Sequence, residues 1–354
     1  MKKLLTVAVP CYNVAWCLDK CLSSFLTEPV REELEIIIVN DGSTDDTLQV
    51  ASKYVDMHPH IFRLIDKPNG GHGSTINEAI MQASGKYFKV VDADDWVITE
   101  NLGDFLNILT NTEADAIITH FHTVDMESGN KKEHKTRNIQ LNRAYALDEF
   151  TASPDGIYSC TFFHGLTYRT EAYRASGAIL SEGIFYEDHE YATLPFLAVE
   201  TIFPSDVFLY QYLVGNVNQS VSDQNQVKRL GHIEQVTKRL FCCYRDNPNV
   251  SEGKRRYIAR KATDMLVSYY IVAMVKNPDK RGGRIEAARV RRELSDVEPV
   301  LVSLADARYR IAAIMSRLGI TARILRFIKQ SLPYAILYKL LKRNENNKIK
   351  RGTT

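Results

Sequence analysis

The stretch EIIIVNDGS, residues 35–43, decides how the first third of the chain is interpreted. Four consecutive β-branched apolar residues follow the glutamate, and an unbroken apolar run of this length is typical of a parallel strand that is buried on both faces. Asn, Asp, Gly and Ser come directly afterwards, and these residue types favour a turn. The stretch therefore predicts an inner strand of a parallel sheet with a polar turn at its carboxyl end.

Similar short apolar runs occupy residues 4–9, 61–65 and 87–91. Between the first two strands, apolar residues recur at helical spacing, namely Leu18, Cys21, Leu22 and Phe25. Alternating strands and helices are the pattern of a doubly wound α/β fold. We therefore expect a Rossmann-like sheet with helices on both faces.

Polar stretches follow three of these strands: PCYN at 10–13, NDGS at 40–43 and DADD at 92–95. In open α/β sheets, ligands bind beyond the carboxyl ends of the strands. The glycine-rich loop at 70–73 stands before a predicted helix, where backbone N–H groups and the helix N-terminus suit a phosphate. The sequence thus predicts a nucleotide-binding crevice at this edge of the sheet.

The three aspartates of DADD have two interpretations. Carboxylates at a strand end suit Mg²⁺ or Mn²⁺, which take one or two carboxylates plus the phosphates of a substrate. Alternatively, an acidic cluster favours the N-terminus of a helix without binding anything. The DADD stretch taken alone leaves both open.

The overall composition is that of a soluble globular protein of 354 residues, with a net charge of +2. That length suits one large α/β domain with an appendage. The six cysteines form no CxxC pair, which favours a reducing compartment. The apolar run of MKKLLTVAVP is too short for a secretory signal, so we expect a cytoplasmic protein.

The remainder of the chain is less regular. Strands are predicted at 116–121 and 207–212, and the polar segment MESGNKKEHKTRN, residues 126–138, is predicted to be a surface loop. From about residue 226 the pattern becomes helical and basic, and beyond residue 307 the single acid is Glu345. The expected division is a domain over 1–222, with halves 1–112 and 113–222, a helical basic region over 223–343 and a disordered tail over 344–354.

Five motifs together resemble one enzyme family. VAVPCYN, IIIVNDGSTDDT, KPNGGHGSTINEA, GKYFKVVDADD and FYEDHEY resemble, in order and spacing, the inverting glycosyltransferases of family 2, which have the GT-A fold. The resemblance covers about the first 220 residues and leaves the C-terminal third outside it. It implies a hexosyltransferase that uses a nucleotide-sugar donor, usually a UDP-sugar, together with Mn²⁺ or Mg²⁺.

The resemblance also implies roles for individual residues. Pro10 and Tyr12 would frame the nucleobase, Asp41 would read its edge, and Asp92 and Asp94 would hold the metal. The donor-binding positions implied are Pro10, Tyr12, Asn13, Asp41, Asn69, Gly70, Gly71, Asp92, Ala93 and Asp94. Further candidates are His72, Asp95, His164 and Ser220. Asp95 could support the metal site or cap a helix. His72 could contact the diphosphate or the acceptor, or it could be an exposed loop residue. His164 could contact the acceptor, or it could be a buried core residue.

The acidic pair in FYEDHEY matches the position of the family's general base. We assign Asp188 as the base that takes the proton of the acceptor hydroxyl, with Glu187 as the runner-up or a neighbour that raises its partner's pKa. The reaction would be a single in-line displacement with inversion.

The basic C-terminal segment is amphipathic and fits either an anionic membrane surface or helices packed on the protein. A membrane position would suit a polyprenyl-linked acceptor, and a glycan is the other acceptor expected. A nucleic-acid partner is not expected, because few aromatics interleave with the cations. The alternatives to a glycosyltransferase are a non-catalytic subunit with the same fold and a sugar-nucleotide pyrophosphorylase, although the latter needs a basic glycine-rich motif after the first strand.

Overall fold

The structure is a computed structural model that describes residues 3–26, 30–153, 161–215, 222–329, 340–341, 344–345 and 347–349. The chain divides into two compact units, residues 1–216 and 217–354. The predicted boundary after residue 222, between the catalytic domain and the helical region, stays a prediction.

The first unit is built on one mixed sheet. Its strands are β1 (Leu5–Cys11), β2 (Leu34–Asp41), β3 (Phe62–Lys67), β4 (Tyr87–Val90), β5 (Trp96–Val97), β6 (Ala116–Asp125), β7 (Lys131–His134), β8 (Tyr145–Ala146), β9 (Leu166–Arg169) and β10 (Thr201–Val214). The main order is β3-β2-β1-β4-β9-β6-β10-β5, with β7 on β6 and β8 on β10. Strands β1 to β4 are parallel, and β9 joins them to β6 through antiparallel pairs. The predicted α/β fold with a doubly wound mixed sheet is confirmed.

Helices connect these strands. They are α1 (Ala15–Ser23), α2 (Thr47–Met57), α3 (His72–Gln82), α4 (Leu102–Asn111), α5 (Leu147–Ala152), α6 (Thr170–Ala175) and α7 (Asp188–Tyr191). Short 3₁₀ turns cover Val30–Glu33, Thr99–Asn101, Phe163–Gly165 and Leu194–Leu197. Every residue of β1 and β2 is buried, as the continuous apolar run of β2 predicts. This rigid centre sets the position of the three polar stretches at its carboxyl edge.

One element of the first unit differs from the sequence prediction. Residues 126–138 were expected to form a surface loop, but β7 lies within them and pairs antiparallel with β6. Lys131, Lys132 and Glu133 are exposed on this edge strand, so its sequence lacks the apolar alternation by which strands are recognised.

The second unit is helical among its described residues. It contains α8 (Asp223–Lys228), α9 (Leu230–Asp246), α10 (Glu252–Ile271), a π-helical turn (Val272–Lys276), α11 (Lys280–Val297), α12 (Pro299–Arg317) and α13 (Ala322–Lys329). In the part of the chain that the structure describes, no helix is both long and apolar enough to cross a membrane.

The structure describes five residues of the tail that was predicted to be disordered. Residues 344–345 and 347–349 are helical, and Glu345 is buried between two arginines of the second unit. Its carboxylate accepts from Arg260 Nη1 at 2.9 Å and from Arg308 Nε at 2.8 Å. Arg260 is itself buried, and a buried guanidinium requires such a partner. The one acid of the basic segment therefore orders part of the tail.

Candidate active site

The DADD stretch forms a tight turn after β4. The backbone N–H of Asp95 donates to the carbonyl oxygen of Asp92 at 3.0 Å, and β5 begins at the next residue, Trp96. No helix starts here, so the acids do not serve as a helix N-terminal cluster, and Asp95 is not a helix cap. The turn instead presents its carboxylates at the carboxyl edge of the sheet.

Asp95 ties this turn to β10. Its carboxylate accepts from the Tyr210 hydroxyl at 2.6 Å and from the Leu213 backbone N–H at 2.7 Å. The same Tyr210 oxygen accepts from the backbone N–H of Asp92 at 3.1 Å. Burial, together with the charges of Asp94 and Asp92, raises the pKa of Asp95 well above its usual range. Asp95 is therefore a buried anchor, whereas its neighbour Asp94 is partly exposed.

His72 connects this turn to the acidic pair. Its Nε2 lies 2.8 Å from Asp92 Oδ1, and its Nδ1 lies 2.6 Å from Glu187 Oε1. Burial acts to lower the pKa of His72, but the two carboxylates raise it well above its usual value. Burial likewise acts to raise the pKa of Asp92, but the charge and hydrogen bond of His72 hold it below its usual value. The imidazole of His72 thus contacts both Asp92, which is predicted to bind the sugar donor, and Glu187, the neighbour of the predicted base.

Asp41 holds the glycine-rich loop. Its carboxylate accepts from the backbone N–H groups of Gly70 at 2.9 Å and Gly71 at 2.8 Å, and from Lys67 Nζ at 2.8 Å. Asn69 adds a hydrogen bond from its side-chain amide to the backbone oxygen of Asp41 at 2.9 Å. The two glycine N–H groups expected to face a phosphate are therefore directed at Asp41.

The glycines allow the loop to pack on the segment before the acidic pair. The φ of Gly71 is +84°, and a Cβ there would stand 2.9 Å from the backbone nitrogen of Gly183. A Cβ at Gly73 would collide with the carbonyl oxygen of Ser181 and stand 3.2 Å from Glu187 Cγ. Only glycine avoids both clashes, so the close approach here is between two segments of the chain.

The PCYN stretch, residues 10–13, contains the two residues that are predicted to frame the nucleobase, Pro10 and Tyr12. Pro10 is buried in β1, whereas the Tyr12 side chain is 52% exposed. Asn13 has a φ of 54°, and its side-chain oxygen accepts from the backbone N–H of Thr44 at 2.8 Å. The stretch is thus fixed to the turn after β2 while the tyrosine ring stays accessible.

The two members of the acidic pair occupy different environments. Glu187 is buried, and its second carboxylate oxygen has no hydrogen-bond partner among the described residues. Asp188 begins α7 and is partly exposed. Burial, together with the charges of nearby acids that include Asp92 and Asp188, raises the pKa of Tyr212.

His164 stands beside these acids. Its ring stacks on Tyr212 with 4.1 Å between centroids, and burial lowers its pKa to about 4, so it is neutral near pH 7. One ligand atom each from Asp92, Asp95 and His164 lies within 4.8 Å of the others. A neutral imidazole with two carboxylates is a donor set that fits Mn²⁺ or a similar ion. This set differs from the predicted pair, because it contains Asp95 and His164 and does not contain Asp94.

The sequence analysis did not identify several residues that shape the site. Lys67 and Tyr210 support Asp41 and Asp95, as described above. Lys89 is buried and donates from Nζ to the carbonyl oxygen of His164 at 2.8 Å, and burial lowers its pKa to about 7. A lysine inside an apolar strand pattern was the available signal for Lys89. Ser220, the remaining predicted candidate, lies outside the described residues.

Comparison with known proteins concerns the family and the fold. Residues 6–167 match the model of the family described as "Glycosyl transferase family 2". The glycosyltransferase EpsJ of Bacillus subtilis is 27% identical over 216 residues, covering 60% of this chain and 61% of that protein. A poly(ribitol-phosphate) beta-glucosyltransferase of Bacillus spizizenii is 24% identical, covering 62% of this chain and 33% of its own length.

Among solved structures, TarS of S. aureus, residues 1–349 in complex with UDP-GlcNAc, superposes with a TM-score of 0.61 at 19% identity. The superposition covers 90% of this chain and 92% of that one, and it shows a shared fold. The chain spans less than two thirds of the length of either of these two curated relatives. Residues 6–167 therefore form a glycosyltransferase family 2 domain, and the sheet of the first unit has the GT-A fold.

Proposed function

We propose that the protein transfers a sugar from a UDP-sugar to a hydroxyl of a glycan or lipid-linked acceptor, with inversion at the anomeric carbon and with the help of a divalent metal. The observation that carries this proposal is the convergence at His72, where the donor-side Asp92 and Glu187, the neighbour of Asp188, lie within hydrogen-bond distance of one ring. This contact supports a donor site and a base that lie close together, as a direct displacement requires.

The donor pocket would begin at Tyr12, whose exposed ring can stack on a uracil. Asp41 Oδ2 accepts one hydrogen bond, from Gly71, and a carboxylate oxygen can accept two, so it retains capacity for the N–H of a uracil. Pro10, Asn13, Asn69 and Ala93 would shape this pocket around the nucleotide. The TarS structure in complex with UDP-GlcNAc supports a uridine nucleotide.

The metal would be held by oxygen and imidazole ligands of the DADD turn and its surroundings. Asp92, Asp95 and His164 offer the close set, and the partly exposed Asp94 completes the predicted D-x-D pair. A bound Mn²⁺ or Mg²⁺ would neutralise the charge that develops on the departing diphosphate.

The chemical step follows from the position of Asp188. The acceptor hydroxyl oxygen attacks the anomeric carbon from the face opposite the diphosphate, and its proton passes to the Asp188 carboxylate. The bond from the anomeric carbon to the diphosphate oxygen breaks as the new glycosidic bond forms, and UDP leaves. Glu187 is buried and bonded to His72, and this favours the partly exposed Asp188 as the base.

A membrane-surface location is part of the same proposal. Ile314 on α12, Leu318 directly after that helix and Phe327 on α13 are exposed, the last by 79%, and Arg317 and Arg323 are their neighbours in the sequence. Exposed apolar side chains among cations suit an anionic bilayer and hence a lipid-linked acceptor. The variant Phe327→Glu should release the protein from vesicles containing phosphatidylglycerol, and undiminished binding would argue against this location.

The proposal is tested by calorimetric titration of UDP and of UDP-GlcNAc into the purified protein, with and without Mn²⁺. We expect binding that strengthens with Mn²⁺, and slow release of UDP from UDP-GlcNAc when water serves as the acceptor. Absence of binding under both conditions would refute a uridine nucleotide donor, and GDP in the same titration would then identify the alternative base.

A further inference from the structure

The side chain of His72 occupies a position that neither of its predicted roles explains. Both ring nitrogens lie within 2.8 Å of carboxylate oxygens, which can only accept hydrogen bonds. The ring is therefore held between the two acids, with one acid at each nitrogen. An exposed loop histidine would not be held in this way, and a diphosphate contact would first have to break one of these bonds.

The backbone around His72 is built to hold this bridge. Gly183 donates from its N–H to the carbonyl oxygen of Gly70 at 2.8 Å. Asn77, on the second turn of α3, exchanges two hydrogen bonds with the backbone of Leu180, at 2.9 and 2.8 Å. The start of α3 and the segment 180–187 are thus joined on both sides of the histidine.

The bridge also constrains the residue after Glu187. The carbonyl oxygens of Glu187 and Asp188 accept from the N–H groups of Tyr191 and Ala192, each at 2.9 Å, which makes the pair the first turn of a helix. Holding the Glu187 side chain against His72 therefore limits where Asp188 can stand. A displacement of about 1 Å at a reacting group can cost roughly 100-fold in rate.

We propose that His72 is a positioning residue that sets the distance between the donor-side acid Asp92 and the acceptor-side acid Asp188, through its bond to Glu187. The inference rests on the proposed function, because the distance matters for rate only if Asp188 is the base. His72 itself does not contact the reacting atoms in this role.

The first test measures UDP release from UDP-GlcNAc with Mn²⁺ for the variant His72→Phe, which keeps a ring and removes both hydrogen bonds. We expect kcat to fall by about 10–100-fold, with a much smaller change in the donor KM and in the calorimetric affinity for UDP. The matched control is His60→Phe, on an exposed turn before β3, which should behave as the wild type. An equal loss of UDP affinity and kcat would make His72 a donor contact and overturn the proposal.

The second test is a double-mutant cycle with Glu187→Gln. If His72 acts through Glu187, the double variant should lose no more kcat than the more damaged single variant. Losses that multiply would show independent roles and contradict the bridge. Thermal unfolding of all four proteins shows whether a variant is inactive because it is unfolded.

The third measurement needs no activity. Hydrogen exchange of amides in segment 181–191 should accelerate in His72→Phe and stay unchanged in His60→Phe, because the bridge restrains that segment. Unchanged exchange in His72→Phe would refute the bridge. If the wild type neither binds UDP nor releases it from UDP-GlcNAc, the proposed function fails, while the exchange result still decides whether His72 holds the segment.

Discussion

The DADD turn and the FYEDHEY segment each contain two adjacent acids, and the two pairs divide in the same way. Asp95 and Glu187 are buried and accept hydrogen bonds from the protein, whereas Asp94 and Asp188 are partly exposed. In both pairs the buried acid is bonded to another segment of the chain, and its partly exposed neighbour is the acid proposed to act in the reaction. Two acids in sequence can thus supply one anchor and one candidate reactive group.

The physical reason is the cost of burying a carboxylate. A buried acid needs donors, and those donors come from elements that must then stay in place, Tyr210 of β10 for Asp95 and His72 of α3 for Glu187. The neighbouring acid is held in place by the same backbone although it is not buried itself. The comparison therefore predicts that the two members of each pair respond differently to substitution.

The largest expected effect on kcat distinguishes the role of Asp188 from that of Glu187. Asp188→Asn should lower kcat for UDP release from UDP-GlcNAc by about 10²–10⁴-fold, because general-base catalysis contributes that much, while UDP affinity is retained. The matched variant Glu187→Gln should lose less, because it alters only the position of the base. A greater loss in Glu187→Gln than in Asp188→Asn would exchange their assigned roles.

The next effect concerns the metal. Asp94→Asn should abolish the Mn²⁺-dependent part of UDP binding, since it removes a carboxylate of the predicted D-x-D pair. Titration calorimetry with and without Mn²⁺ measures this part directly, and His164→Phe tests the imidazole of the alternative ligand set in the same experiment. Unchanged Mn²⁺ dependence in Asp94→Asn, with loss in His164→Phe, would assign the ion to Asp92, Asp95 and His164.

The smallest effect concerns stability. Asp95→Ala leaves the Tyr210 hydroxyl and the Leu213 N–H without their acceptor, so the free energy of unfolding should fall by about 1–3 kcal/mol. Asp94→Ala, one residue earlier and partly exposed, should cost less. Urea unfolding of both variants measures the difference, and a larger loss for Asp94→Ala would contradict the division into anchor and reactive acid.

Sequence patterns located most of the candidate site but not its internal bonds. Strand-end patterns indicated the stretches that contain Asp41 and Asp92, and the family resemblance indicated the Glu187–Asp188 pair. They did not show that Asp41 binds the backbone of Gly70 and Gly71, or that His72 joins Asp92 to Glu187. Those contacts join residues that are far apart in the chain, and no local spacing encodes them.

The same contrast explains the two elements that were mispredicted. The edge strand β7 was taken for a loop because its exposed face is lysine and glutamate rather than apolar. The tail was expected to be disordered from composition, yet Glu345 pairs with Arg260 and Arg308. Both errors arise where a distant partner, rather than local preference, determines the structure.

The sequence by itself determined the alternation of strands and helices, the edge at which polar residues collect and the family, because periodicity and ordered motifs are local properties. Only the tertiary structure decided which acid of each pair is an anchor, what the glycines pack against and what His72 connects. Burial and hydrogen bonding between distant segments exist only once the chain is folded, and they assign different environments to residues of the same type.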